Sequence, residues 1–191
     1  MQAQETPTEA HSLSMFDVDS LEKSTVDYEL AQNYLHPDPH FVQSFLLDHE
    51  MIKATNPTTV RIEEHTKCSN EDGNDWVWSN YSVSVPVLSD KISIPAVVPV
   101  VMLVPKGRAV PTIFYQSKTI FGTKVTHRFE CHKVKGEDAS TAGMTQVRLS
   151  TWVDSPLLLL KKFVIGADHR AHVATLRAGR TLVQSYNKAK K

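Results

Sequence analysis

The stretch TQVRLSTWVDSPLLLLKKFVIGADHRAHVATLRAGRTLVQSYNKAKK, residues 145–191, decides the fold because it joins a strand pattern to a long helix pattern. Before Pro156 the side chains alternate: Val147, Leu149, Thr151 and Val153 share one face, opposite Gln146, Arg148 and Ser150. After Pro156 no further proline interrupts the chain. We therefore expect a final strand followed by one long C-terminal helix.

The inward face of this helix has an unusual pattern of side-chain size. Its stripe at three- and four-residue spacing is Leu160, Val164, Ala167, Ala171, Thr175, Ala178 and Leu182. Large side chains at both ends and small ones between would leave a gap against the sheet, whereas an ordinary core fills such a gap. The pattern predicts a ligand cavity between helix and sheet, of roughly 300 to 1,000 Å³.

The sheet itself is predicted from residues 58–154, where β-branched and aromatic residues dominate and turn-forming clusters recur. About six strands are expected there. One of them places Val125, His127, Phe129 and Cys131 on a single apolar face, which is typical of an antiparallel sheet with its other face towards solvent. Residues 24–35 fit a first strand or a short helix equally well, so the sheet has six or seven strands.

The N-terminal part divides into an arm and short helices. Residues 1–22 are predicted to be a flexible arm because they contain few large apolar side chains, and residues 23–191 form the single folded domain. The run PDPHFVQSFLLDHEMIKATNP, residues 37–57, is predicted to form one or two short helices.

Charge and cysteine content narrow the class of protein. Lys and Arg together number 21, as do Asp and Glu, and this zero formal net charge argues against nucleic acid as a partner. The two cysteines lack a CxxC spacing, which fits a reducing compartment. The polar N-terminus lacks a signal-like apolar segment, and Ile92–Val104 is shorter than the roughly 20 residues of a membrane span. We expect a cytoplasmic protein without an integral membrane part.

Three segments resemble a known superfamily: DWVWSNYSVSVPV at 75–87, VTHRFECHKV at 125–134, and TQVRLSTWVDSPLLLLKKFVIGADHRAHVATL at 145–176. Together they resemble the START-like or SRPBCC superfamily, in particular a fungal branch of it, over roughly residues 24–186. The resemblance implies an α+β helix-grip fold, in which a curved antiparallel sheet wraps around the C-terminal helix. Members carry lipids, bind hormones, or cyclise, dehydrate and isomerise polyketide-like compounds. The resemblance contains no catalytic signature, so it indicates fold more than function.

Three residues are candidates for catalysis. His127 faces the expected cavity and could transfer a proton near neutral pH, although a structural histidine bonded to a backbone or Tyr group is the more common case. Tyr81 shares a face with Val77 and Val83 and could donate to a ligand carbonyl, or simply have one structural partner. Glu64 is in register with Ile62 and would be a general acid or base if buried, unless its strand has already left the core.

Further residues are candidates for ligand binding. On the sheet these are Tyr115, Gln116, Phe129 and Thr151, and on the helix Val164, Ala167 and Ala171.

No metal or organic cofactor is expected. His169 and His172 are three residues apart on the helix, but the sequence places no third ligand beside them. Glycine-rich phosphate loops, GxSxG, GxGxxG and HExxH motifs do not occur.

These observations favour two functions. The first is a cofactor-independent enzyme that cyclises, dehydrates or isomerises a largely apolar secondary-metabolite intermediate, and the second is a non-catalytic carrier or sensor of a hydrophobic small molecule. An interaction module would require the cavity to be filled by side chains. The expected partners are a hydrophobic small molecule and, in a homodimer, a second copy of the chain.

Overall fold

A computed structural model describes residues 16–56, 58–70, 72–89, 92–119, 122–134 and 143–189. This part of the chain forms one antiparallel sheet of seven strands in the order β1-β7-β6-β5-β4-β3-β2. The strands are β1 Tyr28–Tyr34, β2 Thr59–Ser69, β3 Asp75–Ser89, β4 Ile92–Val104, β5 Thr112–Lys118, β6 Lys124–Lys133 and β7 Thr145–Asp154. The helices are α1 Val18–Lys23, α2 Pro39–Leu47, α3 His49–Thr55 and α4 Leu158–Ala189.

The fold is the predicted helix grip, a curved antiparallel sheet around the long C-terminal helix. Residues 24–35 contain a strand rather than a helix, because β1 pairs along its whole length with β7, from Tyr28 opposite Thr151 to Tyr34 opposite Thr145. The upper of the two predicted strand numbers is therefore correct. The other six strands form a meander in which each strand pairs with the next in sequence.

Two short helices follow β1, and aspartate side chains cap both of them. Asp38 accepts a hydrogen bond from the backbone N–H of His40 at 2.9 Å, and Asp48 accepts one from Glu50 at 2.8 Å. The second helix, α3, contacts both α4 and β2. The segment predicted as one or two helices thus forms two, next to one end of the long helix.

The inner core lies between α4 and the concave face of the sheet. Its buried members include Tyr34, Phe129, Leu149, Leu176 and Val183. Helix α4 and strand β1 approach each other closely at Gly179, where an added Cβ would lie 2.7 Å from Tyr34 Oη. Because this glycine has no side chain, the Tyr34 hydroxyl can donate to the carbonyl oxygen of Leu176 at 3.2 Å.

The outer face differs from the prediction. It carries a second apolar cluster of Trp76, Trp78, Val101, Leu103 and Phe114, against which Phe16, Val18 and Leu21 pack. The expectation of a solvent-facing outer surface is therefore wrong over this patch.

Helix α1 covers this patch, so the boundary predicted for the flexible arm, after residue 22, falls inside a helix. The Phe16 ring lies edge-on to Trp76 with centroids 5.3 Å apart. Glu22 forms an ion pair with Arg108 at 2.7 Å, and Arg128 lies 3.3 Å from the same carboxylate oxygen. Residues 16–22 are thus folded onto the sheet, and residues 1–15 lie outside the described part of the chain.

The membrane prediction concerns the helices and the apolar run 92–104. That run is strand β4. Within the residues that the structure describes, the helices are too short or too polar to cross a bilayer.

Candidate functional site

A cavity of about 420 Å³ lies between α4 and the concave face of the sheet. Its volume falls within the range expected from the helix pattern. Most of its wall is apolar: Val98, Val100 and Val125 line it from the sheet, and Leu160 and Val164 from the helix. Because the small residues Ala167 and Ala171 also line it, the gap lies where the size pattern of the helix predicts it.

One row of the sheet carries polar side chains on the concave face, and two of them, His127 and Tyr115, line the cavity. Tyr28 on β1 pairs with Thr151 on β7, which pairs with His127 on β6, which pairs in turn with Tyr115 on β5. Directly paired residues of an antiparallel sheet point to the same face. All four side chains therefore belong to the concave face, and Nδ1 of His127 lies 3.1 Å from Oγ1 of Thr151.

The helix adds two ionisable residues, Asp168 and His172, which are one turn apart and line the same cavity. Tyr28 Oη donates to Asp168 Oδ2 at 2.6 Å. Asp168 Oδ1 lies 3.4 Å from His172 Nδ1 and 3.7 Å from His127 Nε2. The two imidazole rings are 4.3 Å apart between centroids. We call Tyr28, His127, Thr151, Asp168 and His172 the polar cluster.

The pKa values of the two histidines of the polar cluster are shifted in opposite directions. Burial lowers the pKa of His127 to about 4, even though the nearby Asp168 carboxylate acts in the other direction. For His172 burial also lowers the pKa, but the hydrogen bond and the charge of Asp168 outweigh it and the net pKa is raised above 6.5. At neutral pH His127 is therefore neutral, whereas Asp168 favours the charged form of His172.

The carboxyl and phenol groups keep their ordinary charge states. Burial alone would raise the pKa of Asp168, but His127, His172 and the Tyr28 hydroxyl together hold it well below its usual value. Burial, followed by the charge of Asp168, raises the pKa of Tyr28 well above its usual range. Asp168 is thus a carboxylate that accepts hydrogen bonds, and Tyr28 remains a donor to it.

Sequence reasoning missed Asp168, and it considered His172 only as a metal ligand beside His169. The predicted stripe ran through Ala167 and Ala171, which do line the cavity, but Asp168 and His172 line it as well. Towards the C-terminus the inward positions are Gly179 and the buried Val183 rather than Ala178 and Leu182. The available signal was the Asp-x-x-x-His spacing immediately beside the small residues, which places a carboxylate and an imidazole on one helix face.

Two predicted site residues lie outside the cavity. Gln116 is on the opposite face of β5 from Tyr115, and its side-chain amide donates to Thr126 Oγ1 at 3.0 Å. Glu64 pairs with Ser79 on the edge strand β2 and is exposed to solvent. A desolvated carboxylate at position 64 is therefore ruled out, because the side chain lies where the edge of the sheet meets water.

The remaining predicted residues lie at or beside the cavity. Phe129, Val164 and Tyr81 line it, as does Tyr115, whose hydroxyl donates to the carbonyl oxygen of Leu46 at 2.7 Å. Thr151 lies behind His127 and orients it.

The same groups also offer ligand atoms for a divalent cation. His127, Asp168 and His172 each offer a ligand atom, and these atoms lie within 4.8 Å of one another. The sequence placed His169 beside His172, but His169 stacks edge-on against Tyr28 with centroids 5.2 Å apart. In the described structure Nδ1 of His172 also faces the carbonyl oxygen of Asp168 at 3.1 Å, so this nitrogen already has a hydrogen-bond acceptor.

Comparison with known proteins relates this chain to others through structure. No family model matches the sequence, and no curated protein matches it. Among solved structures, the Zhui aromatase/cyclase from Streptomyces sp. R1128 has a TM-score of 0.60 at 13% identity, over 82% of this chain and 92% of that one. A START superfamily protein from Mycobacterium smegmatis has a TM-score of 0.54 at 16% identity, over 83% and 97%.

A third match is the di-domain aromatase/cyclase StfQ from the steffimycin biosynthetic pathway, with a TM-score of 0.57 at 10% identity. It covers 84% of this chain and 52% of the larger protein. At such low identity these likenesses show the fold alone, and they confirm the START-like helix grip expected from the sequence.

Proposed function

We propose that this START-like protein is an enzyme that needs no cofactor and transfers protons on a largely apolar small molecule held in the cavity. The reaction class is cyclisation, dehydration or isomerisation of a polyketide-like or other secondary-metabolite intermediate. The solved aromatase/cyclases share the fold, which supports this choice of chemistry without specifying it.

One arrangement carries the proposal: at the cavity wall the rings of His127 and His172 lie 4.3 Å apart between centroids, and both face Asp168 Oδ1. Burial lowers the pKa of His127, whereas Asp168 raises the pKa of His172. Environments that separate the pKa values of neighbouring groups provide an acid and a base at the same pH. His127 is the neutral partner and serves as the base. His172, whose charged form the Asp168 carboxylate favours, serves as the acid.

For a β-hydroxy ketone this pair performs dehydration with a complete proton balance. His127 removes a proton from the carbon between the carbonyl and the carbinol, and the electron pair forms the new carbon–carbon double bond. The hydroxyl group leaves with a proton from His172, as water. The products are a conjugated ketone, protonated His127 and neutral His172, and one proton passed between them restores the starting state.

The other side chains position these two groups. Thr151 lies against Nδ1 of His127, and Tyr28 donates to the Asp168 carboxylate that faces both rings. The largely apolar wall lowers the local dielectric constant, which strengthens the electrostatic interactions among the charged groups.

A carrier is the second candidate, and the composition of the cavity wall favours it. Apart from the polar cluster the wall is largely apolar, and no lysine or arginine among the described residues lines it. Such a wall suits an uncharged hydrophobic ligand whether or not that ligand reacts.

The test uses the aldol adduct of benzaldehyde and acetone, whose dehydration product, benzylideneacetone, is followed by its absorbance. We expect saturable turnover by the wild-type protein, and a loss of about 10² to 10⁴-fold in His127→Gln, since glutamine keeps a hydrogen bond but transfers no proton. His172→Gln should lose activity to a similar degree. His40→Gln, at an exposed position on α2, is the matched control and should be fully active.

Three outcomes would contradict the proposal. Full activity of His127→Gln would make His127 a structural group. Binding of the adduct without dehydration above the buffer rate would favour the carrier. Activity that disappears with a chelator and returns with Zn²⁺ would instead assign His127, Asp168 and His172 to a metal centre.

A further inference from the structure

Three residues that carry hydroxyl groups line the cavity away from the polar cluster. Tyr81 Oη, Thr59 Oγ1 and Thr119 Oγ1 are buried atoms without a hydrogen-bond partner in the part of the chain that the structure describes. All three residues line the cavity. Tyr81 and Thr59 are 9% and 6% exposed, so bulk water does not solvate them. Buried polar groups in folded proteins nearly always have partners, so three such groups around one cavity indicate a missing one.

These residues lie at a distance from the polar cluster along the same sheet. Tyr81 is on β3, and Thr59 is on β2, where it pairs with Val83 of β3. Thr119 directly follows β5. Strand β3 lies three positions from β6, which carries His127, and this corresponds to roughly 14 Å along the sheet. The cavity thus has a second polar region, the hydroxyl cluster of Tyr81, Thr59 and Thr119, away from the first.

The second polar region has no positive charge among its described lining residues that would attract an anion. Burial, and then the charge of Glu64, raises the pKa of Tyr81 well above its usual range, so this phenol keeps its proton. No arginine or lysine among the described lining residues is available to hold a carboxylate or phosphate there. Uncharged hydroxyl or carbonyl oxygens are the groups that such hydroxyls bind well.

We propose that the hydroxyl cluster of Tyr81, Thr59 and Thr119 binds a second oxygen of the ligand. The ligand is then an uncharged, elongated apolar molecule with a hydroxyl or carbonyl function at each end. This inference rests on the proposed function for one point only, the binding of the first oxygen at the polar cluster. It narrows the substrate class by excluding fatty acids and other ligands whose remote end is purely hydrocarbon.

The experiment compares two fluorescent probes of the same shape: stilbene with a para phenol at both ends, and stilbene with a para phenol at one end. We expect the wild-type protein to bind the double phenol about five- to tenfold more tightly, the usual value of one added hydrogen bond in a buried site. Tyr81→Phe should abolish this preference and leave the affinity for the single phenol nearly unchanged. Thr59→Val makes the same comparison should Tyr81→Phe fail to fold.

Tyr115→Phe is the matched control, because Tyr115 lines the same cavity but its hydroxyl is already bonded to Leu46. It should keep the preference for the double phenol. Equal affinity of the wild-type protein for the two probes, including no measurable binding of either, would overturn the proposal, as would a preference that survives in Tyr81→Phe and Thr59→Val. A preference that persists in a protein with no dehydration activity would overturn the proposed function while this inference stands.

Discussion

His127 is a buried histidine whose charged form is disfavoured by the fold, and this couples its protonation to stability. The unfolded chain binds a proton at this residue near pH 6.5, whereas the folded protein binds it only near pH 4. Between these values the unfolded state holds more protons, so stability falls as the pH is lowered through this window.

We therefore predict that the free energy of unfolding of the wild-type protein drops by about 2 to 3 kcal/mol between pH 6.5 and pH 4 because of His127. Urea titrations at several pH values measure this quantity. His127→Gln should flatten the dependence within the window, although Asp168 still destabilises the protein at lower pH as it becomes protonated. The same slope in wild type and variant would mean that His127 stays solvated in the folded protein.

At the residue scale the sequence predicts which side chains of a strand share a face, because strand side chains alternate between the two faces of the sheet. Val125, His127 and Phe129 line the cavity together, as the strand pattern requires. A helix is less restrictive, because an inward face of 100° or more contains neighbouring positions such as Ala167 and Asp168. Following only the apolar choice at each turn selected Ala167 and Ala171 and passed over the charged pair next to them.

The long helix α4 forms one wall of the cavity, and the small side chain of Ala171 leaves part of the space open. We predict that Ala171→Phe fills this space, lowers the affinity for the double-phenol stilbene at least tenfold, and changes the free energy of unfolding by less than about 1.5 kcal/mol. Fluorescence titration and urea unfolding of the same sample measure both quantities.

The control for this change is Ala174→Phe, which is on the exposed face of the same helix and should leave binding unaltered. A large loss of stability in Ala171→Phe would show that helix and sheet are tightly packed at this point. Unaltered probe affinity would place the binding site elsewhere.

Element types are largely predictable here, and close approaches between elements are not. The long helix, the six-strand meander and the short helices after β1 follow from periodicity and proline positions. The strand in residues 24–35 is identified only by its pairing with β7, since its own pattern fits a strand or a short helix equally well. The role of Gly179 was equally hidden, because it depends on Tyr34, which is distant in sequence.

At the scale of the whole molecule, α1 shields an apolar patch of the outer sheet face. We predict that Phe16→Ser combined with Leu21→Ser lowers the free energy of unfolding by about 2 to 4 kcal/mol, since both side chains pack on the cluster that contains Trp76, Trp78 and Phe114. Urea unfolding monitored by tryptophan fluorescence measures the change. Lys23→Ser, at the exposed end of the same helix, should have little effect.

Unchanged stability of the double variant would show that the segment behaves as the flexible arm that its composition indicates. Composition failed here because it averages over residues 1–22, whereas three apolar side chains near the end of that segment are enough to cover the patch. The outer tryptophans Trp76 and Trp78 flank the inward Val77 in the sequence and were the available sign that this face also needed a cover.

The pairing of the first strand with the last has a consequence for biosynthesis. Strand β1 is synthesised more than a hundred residues before its hydrogen-bonding partner β7, and α4 follows only after β7. The meander between them can pair strand by strand during translation, but its concave surface stays open until the last helix emerges. A nascent chain stalled before Pro156 would therefore expose the apolar lining of its unfinished cavity to chaperones, and the docking of α4 is the step that closes this cavity.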